Sequence, residues 1–249
     1  MTAVVVIPAR WGSTRFPGKP LAPLGGRPVI EWVYRRAARA RGIDRVLVAT
    51  DDERIRSAVA GFGGEAVLTR PDHPSGTDRI AEAMKGRAGE VVINVQGDEP
   101  LIDPELIERL AAVMQDAGRW DMATAATPIR DAEELRKPSV VKVVWNRDGQ
   151  ALYFSRSVIP FDRDGRLAVT DLPWWRHLGI YAYQRTFLER LVACPPCRLE
   201  EAEKLEQLRA LDLGGRIRVL ETAGAGMSID TPADREAAER WIRANKVTA

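Results

Sequence analysis

The chain has 249 residues, enough for one sizeable α/β domain or a domain with a small appendage. Its formal net charge is +2 with both signs spread along the sequence, which argues against a dedicated nucleic-acid binder, whose basic excess would be clustered. No stretch approaches the roughly 20 apolar residues of a membrane span, and the first residues lack the charged and long apolar regions of a secretory signal. A soluble, cytoplasmic protein with no membrane partner is expected.

The first expected element is a strand, Ala3 to Ile7, apolar throughout and therefore buried on both faces. It stops at Pro8-Ala9-Arg10 and runs into a basic, glycine-punctuated loop, Trp11 to Pro20. Arg10, Arg15 and Lys19 converge there with two glycines, Gly12 and Gly18. A loop at the carboxyl end of a buried strand is where open α/β sheets bind ligands, and this composition suits a polyphosphate. The loop has neither P-loop nor dinucleotide-site spacing, so an ordinary basic surface turn is the competing reading.

Further buried strands are expected at Arg45–Thr50, Val91–Val95 and Met122–Thr127. Helical patterns lie between them at Val29–Arg41, Asp52–Phe62, Thr77–Lys85 and Pro104–Ala117. That alternation predicts a mostly parallel sheet with right-handed crossovers. Asp51-Asp52 and Asp103-Pro104 are suitable helix entries. From about Val140 the rhythm changes to turn-linked strands, Val140–Trp145, Ala151–Phe154 and Leu178–Tyr183, as in a smaller antiparallel add-on. Helices return at Leu199–Leu213 and Pro232–Asn245. No repeat or long linker divides the chain, so a single domain with an insertion near residues 150–200 is expected.

Three segments carry candidate chemistry. In Asn94-Val95-Gln96-Gly97-Asp98-Glu99-Pro100, Asp98 ends a central strand on the same edge as the basic loop. Asp103 is better placed to cap the following helix, which frees Asp98 to hold Mg²⁺ against phosphate oxygens. In Ser228-Ile229-Asp230-Thr231-Pro232, Thr231 is the natural N-cap, and Asp230 read alone is an accessory cap of the last helix. In His73-Pro74-Ser75-Gly76-Thr77-Asp78-Arg79, the serine and glycine lie at a helix start where N–H groups point outward. Arg79 opposes the usual dipole preference in that first turn, which implies a local anion or another task.

Two other features carry less. Cys194-Pro195-Pro196-Cys197 lacks the second ligand pair of a zinc site and the setting of a redox motif, so a turn with two reduced thiols is expected. The doublet Trp174-Trp175 fits core packing at a sheet edge and fits a subunit contact equally.

Taken together, IPARWGSTRFPGKPL, HPSGTDR, NVQGDEP, YFSRSVIP, RHLGIYAY, LExxExLEQLR and SIDTP occur in order along the chain. This set resembles the 3-deoxy-D-manno-octulosonate cytidylyltransferases, the CMP-Kdo synthetases, over essentially the full length. The resemblance implies a cytosolic homodimer with a Rossmann-like nucleotidyltransferase sheet, its antiparallel add-on serving dimerisation. It implies an Mg²⁺-dependent reaction joining CTP and the sugar acid Kdo into CMP-Kdo and pyrophosphate, for lipopolysaccharide or capsule assembly. By similarity, Pro8, Ala9 and Arg10 would hold the nucleotide, with Arg15 and Lys19 on its phosphates. Ser75 and Arg79 would help bind cytidine, and Asp98 and Asp230 would hold Mg²⁺. Gln96, Arg156, His177, Tyr181, Glu206 and Gln207 would line the sugar pocket, Arg156 facing the sugar carboxylate.

One departure stands after SIDTP, where Ala233-Asp234-Arg235 replaces a commoner Glu-Asp-Leu pattern, a change expected to affect packing more than the metal. An 8-amino Kdo, a nonulosonic acid such as sialic acid, and a non-catalytic nucleotide-binding regulator are the alternative readings.

Overall fold

The computed structural model describes residues 1–12, 15–116, 118–165, 167–169, 174–224 and 226–249. In chain order the first elements are β1 (Ala3–Ala9), a 3₁₀ turn (Lys19–Leu21), a short hairpin of β2 (Pro23–Leu24) and β3 (Arg27–Pro28), and α1 (Val29–Ala37). They are followed by β4 (Arg45–Thr50), α2 (Glu53–Gly61), β5 (Ala66–Leu68), α3 (Gly76–Ala83), β6 (Val91–Asn94) and α4 (Pro104–Met114). Next come β7 (Met122–Pro128), α5 (Ala132–Arg136), β8 (Lys142–Trp145), β9 (Ala151–Ser155), β10 (Trp175–Gln184) and α6 (Arg185–Ala193). The last are α7 (Arg198–Glu203), α8 (Gln207–Asp212), β11 (Ile217–Glu221) and α9 (Pro232–Asn245). The chain forms two compact units, residues 1–115 with 226–249, and residues 116–225.

In the first unit the strands run parallel in the order β6, β1, β4, β5. From β1 the chain proceeds outward to β4 and β5 and then returns to β6 on the opposite side. The carboxyl ends of β1 and β6 therefore flank a topological switch point, where such sheets leave a crevice for ligand. The apolar run of β1 is buried as its sequence demands, with Val5, Val6 and Ile7 fully so.

β1 extends two residues beyond the expected Ile7, through Pro8. Val6 gives its carbonyl to the Val95 N–H (3.2 Å), so Pro8, two residues on, faces the same side beyond the last residue of β6. A missing N–H there leaves no ladder bond unmade. The helix expected at 104–117 ends at Met114, and Ala117 lies outside the described residues.

The terminal helix belongs to this unit. Ala238 and Ile242 of α9 pack with Leu24, Val29, Trp32 and Ile229, while the Trp32 indole N–H donates to the Leu24 carbonyl (2.7 Å). Arg235, part of the departure noted above, donates to the Pro23 carbonyl (2.9 Å) and pairs with Glu239.

In the second unit β11 pairs parallel with β7, and β7, β10, β8 and β9 follow as antiparallel neighbours. The antiparallel strands expected at 140–145, 151–154 and 178–183 are present with shifted bounds, as Lys142–Trp145, Ala151–Ser155 and a longer Trp175–Gln184. Trp174 is buried with its indole N–H on the Pro160 carbonyl (2.9 Å), and Trp175 lies against Trp145 with centroids 4.9 Å apart. Both rings thus have packing partners within their own unit.

The single helix expected over Leu199–Leu213 is instead two. Lys204 takes a left-handed conformation (φ 54°) and ends α7, and Glu206 precedes α8. The buried Glu200–Arg209 pair, with nitrogen–oxygen distances of 2.6 and 2.7 Å, ties the two helices across the break. Tertiary pairing here overrides a continuous helical pattern.

Candidate active site

The phosphate-loop candidate is a closed turn. The Gly18 N–H donates to the Trp11 carbonyl (3.2 Å) and the Lys19 N–H to the Phe16 carbonyl (3.1 Å). Gly18 is left-handed (φ 71°), and a Cβ on it would stand 3.0 Å from the Trp11 ring, so both backbone and space call for glycine. Arg54 stacks on the indole of Trp11 in this turn, its guanidinium 3.4 Å from the ring centroid and held by two bonds to Asp52. Arg10 is exposed at the end of β1, and Ser13 and Thr14 of the same motif lie outside the described residues.

Lys19 opens the 3₁₀ turn with buried Pro20 behind it, which fixes its main chain. Its Nζ lies 2.6 Å from Asp98 Oδ2 and 3.4 Å from Asp230 Oδ1. Arg15 reaches the same Asp230 oxygen at 3.0 Å. Arg15, Lys19, Asp98 and Asp230 therefore form one cluster in the first unit, as the sequence reading grouped them.

Two backbone devices place the carboxylates. Gly97 lies so close to β1 that a Cβ would sit 2.7 Å from the Pro8 carbonyl oxygen, and glycine alone lets the Asp98 turn abut the basic loop. The Ile229 N–H then donates to the Asp98 carbonyl (2.8 Å), which binds the segment carrying Asp230 to the segment carrying Asp98.

Asp230 is not a cap of the last helix, contrary to the reading of that residue taken alone. Thr231 and Asp234 form a complete capping box, and Asp234 also accepts the Asp230 N–H (3.0 Å). With the helix end satisfied, the Asp230 side chain is left to face Lys19 and Arg15. Burial pushes the Asp234 carboxyl up, but hydrogen bonds from Thr231 and Asp230 and the Arg15 charge outweigh it and hold it below the ordinary range.

Ser75 is the N-cap of α3, accepting from the Asp78 N–H. Arg79 is buried, its guanidinium 2.8 Å from Asp51 and 2.6 Å from the Thr69 hydroxyl. Asp51 is the local anion that its dipole-opposed position implied, while Asp52 is the cap of α2. Arg79 is thus buried with its guanidinium engaged by Asp51 and Thr69. Gln96 stands beside Asn94, its amide 3.4 Å from Asn94 Oδ1.

Within the second unit, β10 has a bulge between Leu178 and Tyr181. Four residues along a regular strand span about 13 Å, yet here the His177 and Tyr181 ring centroids are 5.4 Å apart. The Thr124 hydroxyl fills the bulge, donating towards the Leu178 and Ile180 carbonyls and lying 2.9 Å from His177 Nε2. Burial pushes the His177 imidazole down to about 3, so it is neutral and offers no cation. The Tyr181 hydroxyl reaches Gln207 Oε1 (3.4 Å), and the buried Gln207 Nε2 has no partner among the described residues. Glu206 and Gln207 lie at the start of α8, not mid-helix.

Arg156 donates to the carbonyls of Glu203 (2.6 Å), Pro138 (3.0 Å) and Lys204 (3.3 Å). A guanidinium has five N–H groups, so some remain for a carboxylate. Sequence reasoning missed what holds it. Lys142 is fully buried and donates to the Lys137, Val140 and Arg156 carbonyls, and the Glu203 carboxylate accepts from Ser155 and the Arg156 N–H. A lone lysine inside the apolar run Val140–Trp145 was the available signal.

Cys194 and Cys197 are free thiols, the latter's sulfur accepting from the Glu200 N–H at the start of α7. No group of three or more potential metal ligands occurs among the described residues, and no helix among them is long and apolar enough to cross a membrane.

Comparison with known proteins gives the family. The family described as "Cytidylyltransferase" matches residues 4–217. The 8-amino-3,8-dideoxy-manno-octulosonate cytidylyltransferase of Shewanella oneidensis is 49% identical over 246 residues, 97% of this chain and 99% of that protein. Its counterpart in Shewanella halifaxensis is 50% identical over 238 residues, 94% and 96% of the two chains. Among solved structures, a CMP:2-keto-3-deoxy-manno-octonic acid synthetase complexed with CTP superimposes with a TM-score of 0.93 and 45% identity, covering 99% of this chain and 100% of that one. The mostly parallel α/β fold is shared with that solved structure, and the chain belongs to the cytidylyltransferase family, among its CMP-Kdo synthetase-like members.

Proposed function

We propose that this protein transfers CMP from CTP to the anomeric hydroxyl of a Kdo-type 2-keto sugar acid, releasing pyrophosphate. The observation that carries the reading is the cluster at the β1–β6 switch point, where Lys19 lies between Asp98 and Asp230 with Arg15 alongside. Of the two acceptors, 8-amino-Kdo has the better support, because the curated relatives at 49–50% identity act on it by name. Kdo itself is the second reading, supported by the synthetase structure at 45% identity.

The residues take these roles. The Pro8-Ala9 backbone and Arg10 hold the nucleotide. Ser75 contacts cytidine at the start of α3, and Arg79 holds Thr69 and Asp51 in place behind it. Lys19 and Arg15 turn to the triphosphate and neutralise charge as the sugar hydroxyl attacks the α-phosphorus in line and pyrophosphate departs. Arg156 meets the sugar carboxylate with its remaining N–H groups, and Gln96, His177, Tyr181, Glu206 and Gln207 receive the hydroxyls. The unpartnered Gln207 amide supports that assignment.

Two carboxylates facing one ammonium are a suitable donor set for Mg²⁺, which takes one or two protein carboxylates and completes its shell with phosphate oxygens and water. Asp98 and Asp230 would hold the ion, which when bound supplies positive charge to the triphosphate oxygens. A cytoplasmic homodimer is part of the same proposal. Leu152 and Phe161, 58% and 80% exposed on the second unit, support a subunit contact there.

The test is pyrophosphate release with CTP, Mg²⁺ and, in turn, 8-amino-Kdo, Kdo and N-acetylneuraminate, beside ATP, GTP and UTP. Release requiring CTP and the 8-amino acid is the expected result. A preference for Kdo makes the second reading correct, and no release with any pair makes the enzyme reading wrong.

A further inference from the structure

Lys19 stands where the proposed reading puts a divalent ion. Its Nζ touches both carboxylates of the pair, Asp98 at 2.6 Å and Asp230 at 3.4 Å. The Asp230 oxygen that it shares also accepts Arg15 at 3.0 Å. The cluster is thus already neutral, two carboxylates against two cations. Among the described residues the pair has no third carboxylate, histidine or cysteine to complete a metal site.

Resting on the proposed nucleotide reading, we infer that Lys19 is a resident counter-ion for Asp98 and Asp230, so that the metal site exists only once a triphosphate has drawn Lys19 away.

The physical basis is charge and geometry. The Lys19 side chain is 13% exposed and that of Asp98 27%, so their attraction is screened less than a surface pair's. A divalent ion entering the nucleotide-free cluster meets two positive charges already bonded to its intended ligands. A triphosphate reverses the balance by offering its own oxygens to Lys19 and Arg15 and at the same time supplying the missing metal ligands. The flexible lysine stem lets the charge swing while the 3₁₀ turn holds its main chain. Coupling of this kind is reciprocal, so metal and triphosphate strengthen each other's binding. Lysine here acts against metal binding in one state and for phosphate binding in the other.

The sign of this effect is unusual for a site residue, since removing it improves binding of an ion. The test is Mn²⁺ binding to the nucleotide-free protein, read by electron paramagnetic resonance, for the wild type, Lys19→Met, and Lys19→Met combined with Asp98→Asn. The expected result is at least about tenfold tighter Mn²⁺ binding by Lys19→Met, lost again in the double variant. Equal affinity in wild type and Lys19→Met, both folded by circular dichroism, overturns the inference. If Lys19→Met does not fold, Arg15→Ala decides: its side chain is 67% exposed, and a smaller gain in Mn²⁺ affinity supports the inference where no gain overturns it. None of these arms uses the sugar acid or turnover. Absence of pyrophosphate release would therefore strike the functional reading, whereas absence of the Mn²⁺ gain strikes the role of Lys19.

Discussion

At the scale of single residues, Asp98 and His177 have opposite electrostatic settings. Asp98 faces cations, and its main chain is held separately through its carbonyl by Ile229. Asp98→Asn should therefore lower kcat by about 100-fold or more while the melting temperature stays within a few degrees. Steady-state pyrophosphate release and a thermal melt check both parts. His177 is buried and neutral, its imidazole pushed by burial to about 3 from an ordinary 6.5. Between those values the unfolded chain binds the proton and the native one does not, so stability rises with pH. The contribution is fully present above pH 6.5 and is lost as pH falls below it, at up to about 1.4 kcal/mol per pH unit. Urea unfolding between pH 7.5 and 5 should show this slope in the wild type and a clearly flatter one in His177→Gln. Equal slopes would remove the burial argument.

At the scale of elements, the strands of the first unit were legible because β1, β4 and β6 are short apolar runs without alternation, the pattern of strands covered on both faces. The bounds of β4 and α9 agree with the expectation residue for residue. Weak or overridden local signals account for what was not legible. β5 has three residues and an exposed Leu68, too little to register as a strand. α6 went unassigned, although its buried residues Phe187, Leu188 and Leu191 have helical spacing. The break at Lys204 has no glycine or proline to mark it, and the Glu200–Arg209 pair on either side makes it worthwhile. Arg209→Leu leaves the Glu200 carboxylate buried and unpaired, and should cost about 3 kcal/mol or more. A chemical denaturation curve measures this, and a loss under about 1 kcal/mol would mean that the pair behaves as a surface one.

At the scale of the whole molecule, similarity to the CMP-Kdo synthetase-like proteins extends over nearly the full length, which supports the proposed use of CTP. A ligand that binds the native state alone raises its stability by mass action, about 2.7 kcal/mol at a hundred times its dissociation constant. CTP with Mg²⁺ should therefore raise the melting temperature by several degrees, and ATP at the same concentration much less. Equal shifts for the two nucleotides would argue against cytidine recognition in this chain.

By itself, the sequence determined β1, β4, β6 and the helices of the first unit, and the family. Each is written in short contiguous segments, where apolar runs, caps and glycines act locally. Tertiary structure decided the pairings and distances at which the grouped charges meet. Lys19 lies 79 positions from Asp98 and 211 from Asp230, and no local pattern encodes such distances. Their meeting depends on β6 returning beside β1, on a glycine at position 97 that lets two backbones touch, and on α9 packing against Trp32. The same holds for Asp230, whose freedom from capping rests on Asp234 completing the capping box with Thr231. Local chemistry proposes candidate groups, and long-range packing, which is cooperative and non-directional, selects the ones that face each other.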